Sequence, residues 1–395
     1  MTSLAKRLTS IKPSATLAVT QRAAELRALG EDIISFSAGE PDFDTPGHIV
    51  SAAKEALDKG MTRYTAVAGI PELRRAIAEE STRARRVDCR LDQTIVTVGA
   101  KHAIYQFLAA LINPGDEVII PAPYWVSYPD QVRLVDGEPI VVQTQAKNGF
   151  VLTAEELQKV ISPRSKVLVL NTPNNPTGAV YSEQAVREVT LTALKAGLWI
   201  LSDEIYRELI YGQEKHVSPL SIAPEEMRDR VFVVDGVSKT FAMTGWRIGW
   251  GIGSPDVIRA MSKIQGQSTS NPASMAQAAA LAALTAPRSF LKDWRSEYEK
   301  RRNEIVRRLN DIPGIQCATP GGAFYVLPSV RGVLKRMGAE ATDLTLTGYL
   351  LEQARIAVVP GTPFGAPEHI RFSYATSLAA IEQGLERMKN ALQQV

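Results

Sequence analysis

The sequence predicts an α/β protein in two parts, a larger domain built on a mostly parallel sheet covered by helices on both faces and a smaller α+β domain. Three observations predict this. Five short runs, "TIVTVG" (94–99), "EVIIPA" (117–122), "KVLVLN" (166–171), "LWILSD" (198–203) and "VFVVDG" (231–236), alternate with segments of helical period. The runs are continuously apolar rather than alternating, as strands buried on both faces should be. From about Ser289 the texture changes: a long charged helix is followed by "CATPGGAFYVLP", another helix, "IAVVPG", "HIRFSYA" and a terminal amphipathic helix. The expected division is 1–45 as an N-terminal arm and part of the small domain, 46–288 as the large domain and 289–395 as the small one.

The elements follow in chain order. Residues 1–24 hold Lys6, Arg7, Lys12 and Arg22 and no acid, which reads as an amphipathic arm or as the bias of a transit peptide. The run "RARR" (83–86) is the densest basic cluster and reads as a solvated helix end. "TVGAKHAIYQFL" sets a glycine turn between a strand and a helix, so the first N–H groups of that helix offer an anion site. "NTPNNPTG" is too rich in proline and asparagine for regular structure and reads as a turn. "GWGIGS" fits no nucleotide motif and reads as a strand with close backbone packing.

The composition narrows the class of function. A chain of 395 residues with net charge +3 and no long basic run gives no electrostatic case for nucleic acid or a membrane surface. The two cysteines, Cys89 and Cys317, stand far apart in no CxxC pattern, so neither a metal site nor a disulfide framework is expected, and a reducing cytoplasm is. No stretch has the apolar length of a membrane span.

In parallel sheets ligands gather beyond the carboxyl ends of the strands. The residues there are Gly99-Ala100-Lys101, Pro123-Tyr124-Trp125, Asn171 to Gly178, Asp203 to Tyr206 and Ser238-Lys239. Asp203 reads either as a helix N-cap or as an anion held for a cationic partner. Lys239 and Arg247 lie in the apolar, glycine-rich run "DGVSKTFAMTGWRIGWGIG", where a buried cation is costly. A lysine confined among apolar residues near another cation has a lowered pKa and becomes a Schiff-base nucleophile. A lysine, a carboxylate for a pyridinium nitrogen and donors for a phosphate are the parts that pyridoxal phosphate requires.

With these residues in hand, "SKTFAMTGWRIG", "NTPNNPTG", "SDEIY" and "AGEPDFDTP" resemble the pyridoxal-phosphate aminotransferases of fold type I, class I, subgroup Ib, and most closely the bacterial aspartate/prephenate group. The resemblance runs from about residue 3 to the C-terminus and leaves no expectation of a cleaved presequence. It implies a seven-stranded, mostly parallel sheet in the large domain and a homodimer with shared active sites. By position, Lys239 would hold the cofactor and move the substrate proton, and Asp203 would pair with the ring nitrogen. Tyr206 and Asn175 would bond the ring oxygen, and Trp125 would stack on the ring. Gly99, Ala100, Lys101, Ser238 and Arg247 would form the phosphate site, with Tyr64 reaching that of the neighbouring subunit.

The resemblance also implies a substrate site. Arg371 would clamp the α-carboxylate, with Asn175, Trp125 and the Gly39 backbone around it. Lys101, with Ser14 and Thr16 of the N-terminal segment, would meet the distal carboxylate, and Lys12 stands where prephenate-accepting relatives carry a basic residue. Two departures are expected to bear on specificity: "GAKHA" replaces the commoner GGKQA, and "SNP" (270–272) varies near the substrate. The expected reaction is transfer of the amino group of aspartate to 2-oxoglutarate, with prephenate as a further acceptor. The rivals are alanine, aromatic or kynurenine transamination, a pyridoxal-dependent lyase, and a ligand-binding regulator.

Overall fold

The computed structural model describes residues 5–11 and 15–395, except for the side chains of Lys6 and of residues 15–17. Twelve strands are found among them. They are β1 (Ile34–Ser35), β2 (Thr94–Thr97), β3 (Glu117–Ala122), β4 (Glu138–Gln143), β5 (Ser165–Asn171) and β6 (Trp199–Asp203). The rest are β7 (Val231–Gly236), β8 (Gly249–Ile252), β9 (Tyr325–Val326), β10 (Ile356–Ala357), β11 (Val359–Pro360) and β12 (Ile370–Ser373).

Seven strands form the main sheet in the order β2-β8-β7-β6-β5-β3-β4. β8 runs antiparallel to both its neighbours, and the other pairings are parallel. Alternate residues of each strand serve opposite cores: Val167 and Val169 face one apolar cluster, Leu168 and Leu170 the other. That double burial is why these strands read as unbroken apolar runs.

β4 was not legible as a strand. Its sequence "EPIVVQ" carries Pro139, which has no ladder N–H, and its residues are mostly part-exposed. It survives because it lies at the sheet edge, paired only with β3. The glycines of β8 have a packing cause, as the strand reading of "GWGIGS" requires. A Cβ on Gly249 would collide with the Ala100 backbone nitrogen, and one on Gly251 with the Phe232 ring.

A third core gathers Ile34 and Phe36 with Tyr298, Phe324, Tyr325, Phe372 and much of the chain from 298 to 392. Here β1 pairs with β10, and β11-β12-β9 form a small antiparallel sheet. The N-terminal segment thus packs with the C-terminal one, and Tyr206, just past β6, belongs to the same core. No helix among the described residues is long and apolar enough to cross a membrane.

The structure corrects one sequence expectation. Arg83 is exposed and pairs with Glu80, but Arg85 is buried rather than solvated. Its Nε and Nη2 donate to Glu204 Oε2 at 3.0 and 2.7 Å, and Nη2 lies 3.5 Å from Asp235 Oδ2. Glu204, buried just past β6, needs that counter-charge, while Asp235 on the adjacent strand also pairs with Arg207 at 2.7 Å. Burial pushes the Glu204 carboxyl up, yet Arg85 and His216 hold it well below the usual carboxylate range.

Arg85→Met is therefore expected to cost about 3–5 kcal/mol of stability by taking from the buried Glu204 its guanidinium partner, Asp235 keeping Arg207 at 2.7 Å, and adding Glu204→Gln should recover part of it. Denaturant midpoints check this, and a loss below about 1 kcal/mol would contradict the assigned role.

Candidate active site

Residues from the strand ends of the main sheet and from the second unit line one cavity of about 270 Å³. Strand geometry brings them together: in a parallel sheet all carboxyl ends open on one side. β5 delivers Asn171 and the turn to Asn175, β6 delivers Asp203, and the segment after β7 delivers Ser238 and Lys239. β9 and β12 contribute Tyr325 and Arg371 from across the cavity.

Lys239 donates from Nζ to the Gly39 carbonyl at 2.5 Å and lies 5.9 Å from the centroids of the Tyr206 and Phe324 rings. Burial lowers its pKa to about 8; Glu40 opposes the shift, and Arg371 and Arg247 add to it. A useful fraction of neutral amine therefore exists near neutral pH.

No helix begins at Asp203; the residues after it form turns, so the N-cap reading does not apply. Its Oδ2 accepts from the Tyr128 hydroxyl at 2.6 Å and its Oδ1 from the Ile205 N–H at 3.3 Å. Burial pushes the carboxyl up to about 6, Asp235 and Glu204 add to the rise, and the two donors oppose it. Such a carboxylate is stabilised by a cationic group facing it in the pocket. Tyr128 had no motif to announce it in the sequence; only the packing of helix Ser127–Leu134 brings it within reach.

The second group of residues is cationic. Gly99 is the residue before helix Ala100–Leu111 and has φ +82°, and a Cβ there would strike the Arg247 guanidinium. The glycine thus lets Arg247 approach the helix start, where the first N–H groups have no helical partner. Arg247 also donates to the Thr244 carbonyl at 2.8 Å. The Lys101 ammonium sits over the Trp125 ring, 4.8 Å from its centroid.

Arg371 is buried, and its partners among the described residues are all neutral. It donates to Asn175 Oδ1 at 3.1 Å and to the Ser37 carbonyl at 2.8 Å, and stacks over the Tyr325 and Phe364 rings at 4.6 and 5.1 Å. Its Nε is buried without a partner among the described residues. The Tyr206 hydroxyl is 2.9 Å from that of Tyr325, a lining residue that the sequence reading missed.

Among the described residues the cavity is lined by four cations, Lys101, Lys239, Arg247 and Arg371, and by one carboxylate, Asp203. An excess of positive charge gathered on one cavity suits a ligand with several anionic groups. Of the other residues named from the sequence, Gly39, Ala100, Trp125, Asn175, Tyr206 and Ser238 line the same cavity. Tyr64 does not: it is 90% exposed on the surface of the chain. Lys12 and Ser14 lie outside the described residues, and of Thr16 only the backbone, in the first turn of helix Ala15–Ala28, is described.

Comparison with known proteins agrees with this geometry. An aspartate aminotransferase of Geobacillus stearothermophilus is 46% identical over 98% of both chains. An aspartate/prephenate aminotransferase of Cereibacter sphaeroides is 44% identical, again over 98% of each. The crystal structure of the aspartate aminotransferase of Rhizobium meliloti superposes with a TM-score of 0.95 at 42% identity, covering 100% of this chain and 99% of that one. The family model described as aminotransferase class I and II matches residues 31–388, and with these relatives it shows that the chain belongs to that family.

Proposed function

We propose that this protein is an aspartate aminotransferase that uses pyridoxal 5′-phosphate to pass the amino group of aspartate to 2-oxoglutarate, and that it also aminates prephenate. The observation that carries the reading is the cavity itself, with a lysine of lowered pKa, a buried carboxylate awaiting a cation, and three further cations awaiting anions.

The residues fit this cofactor. Asp203 matches a protonated ring nitrogen, and burial keeps the Tyr206 hydroxyl protonated, as a donor to the ring oxygen must be. Asn175 is a second donor for that oxygen and Trp125 a face for the ring. Arg247, Ser238 and the start of helix Ala100–Leu111, with Gly99 and Lys101, suit the phosphate. When bound, pyridoxal phosphate supplies an electrophilic carbon and an electron-accepting ring for amino transfer.

The chain's own groups do the rest. Lys239 provides the amine that anchors the cofactor and afterwards takes the proton from the substrate α-carbon. Arg371, with Asn175 and the Gly39 backbone, orients the α-carboxylate, and Lys101 reaches the distal one. Ser14 and Thr16 complete the distal site, and Lys12 is the residue assigned to prephenate. In a homodimer, the exposed Tyr64 reaches the phosphate site of the second copy. We assign the protein to the cytoplasm, and its domains to 1–45 with 289–395 and to 46–288.

The test is a pair of half-reactions. Protein loaded with pyridoxal phosphate is treated with aspartate, which should bleach the visible band as oxaloacetate forms. After aspartate is removed, 2-oxoglutarate and prephenate should each restore the band. Failure of aspartate to bleach it overturns the substrate assignment; failure of prephenate alone returns Lys12 to an ordinary charge. Release of pyruvate and ammonia without any acceptor would indicate lyase chemistry instead.

A further inference from the structure

Tyr325 belongs to β9, opposite Ser373 of β12, two positions from Arg371. Its hydroxyl lies 2.9 Å from that of Tyr206, and neither hydroxyl has another hydrogen-bond partner among the described residues. Both rings are buried and meet edge to face at 5.7 Å. One proton occupies this contact, and the other hydroxyl proton is free to point elsewhere.

The surroundings decide the direction. The Arg371 guanidinium stacks on the Tyr325 ring at 4.6 Å, and a cation on the face of a phenol makes its O–H the stronger donor. The Gly39 carbonyl, on the neighbouring backbone, already accepts from Lys239. The charged groups facing the pair are Arg371, Asp203, Lys239 and Glu40.

We propose that Tyr325 is a positioning residue that donates its hydroxyl proton to the Tyr206 oxygen, so that the Tyr206 proton is turned into the pocket toward an anionic oxygen of the ligand. Donation into one side of a hydroxyl polarises it and strengthens the bond it gives on the other. Tyr325 thereby links the substrate clamp, Arg371, to the cofactor-facing hydroxyl, Tyr206. The inference rests on the cofactor reading above.

The test is the pH titration of the visible absorbance of the protein loaded with pyridoxal phosphate, without substrate. Tyr325→Phe keeps the ring under Arg371 and removes only the hydroxyl. Its titration midpoint is expected to rise by about 0.4–1 pH unit, the worth of one hydrogen bond to the ionised form. In a Tyr206→Phe background the same change should add nothing, which a role in packing alone would not produce. An unmoved midpoint in Tyr325→Phe, or an equal shift with and without Tyr206, overturns the proposal. If the wild-type protein takes up no pyridoxal phosphate and develops no visible band, the cofactor reading itself falls, an outcome distinct from both.

Discussion

Lys239→Ala is expected to leave a folded protein that still takes up pyridoxal phosphate through its phosphate and ring contacts but forms no covalent link. Amino transfer should fall by more than about 10⁴-fold, because the proton transfer alone is worth up to that factor and the anchoring amine is lost with it. Borohydride treatment followed by denaturation should retain the cofactor on the wild-type chain and release it from the variant. Substantial transamination by the variant would sink the assignment. The lowered pKa adds a signed pH dependence to the wild type. The neutral amine is the reactive form, so the rate of cofactor capture by the cofactor-free protein should rise with pH and level off above about 8. A rate that falls over that range would contradict the assigned environment of Lys239.

Arg371→Lys should spare the cofactor and cripple the substrate. The guanidinium lies over the Tyr325 and Phe364 rings and is hydrogen-bonded to Asn175 and Ser37, with Nε unpartnered among the described residues. Lysine keeps the charge but loses the fork and the stacking. We expect kcat/KM for every amino-acid donor to drop by about 10²–10³-fold, in line with the cost of removing one partner of a buried charge pair. The visible spectrum of the loaded protein should be unchanged. Amine donors without an α-carboxylate serve as the control, since they never meet the clamp. A drop of less than about threefold for aspartate would remove Arg371 from the substrate site.

The strand ends were readable because buried parallel strands announce themselves as apolar runs, and their ligands lie in the few residues that follow. Lys239, Asp203, Tyr206 and Asn175 were all found this way, while Arg371, on the central strand of the small sheet, needed the resemblance to stand out from an ordinary surface charge. β4 escaped notice because an edge strand is half exposed and tolerates a proline.

By itself, the sequence determined the α/β class, the positions of the buried strands and the kinds of side chain at their ends, since periodicity and burial act locally along the chain. Only the tertiary structure decided which distant groups meet. Arg85 is buried because Glu204, 119 positions away, turns inward at the same spot. Asn175 holds Arg371 across 196 positions, and Tyr128 reaches Asp203 across 75. The Tyr206–Tyr325 pair spans 119. Such contacts depend on how layers pack, and a hydrogen bond fails over an ångström that no residue pattern encodes.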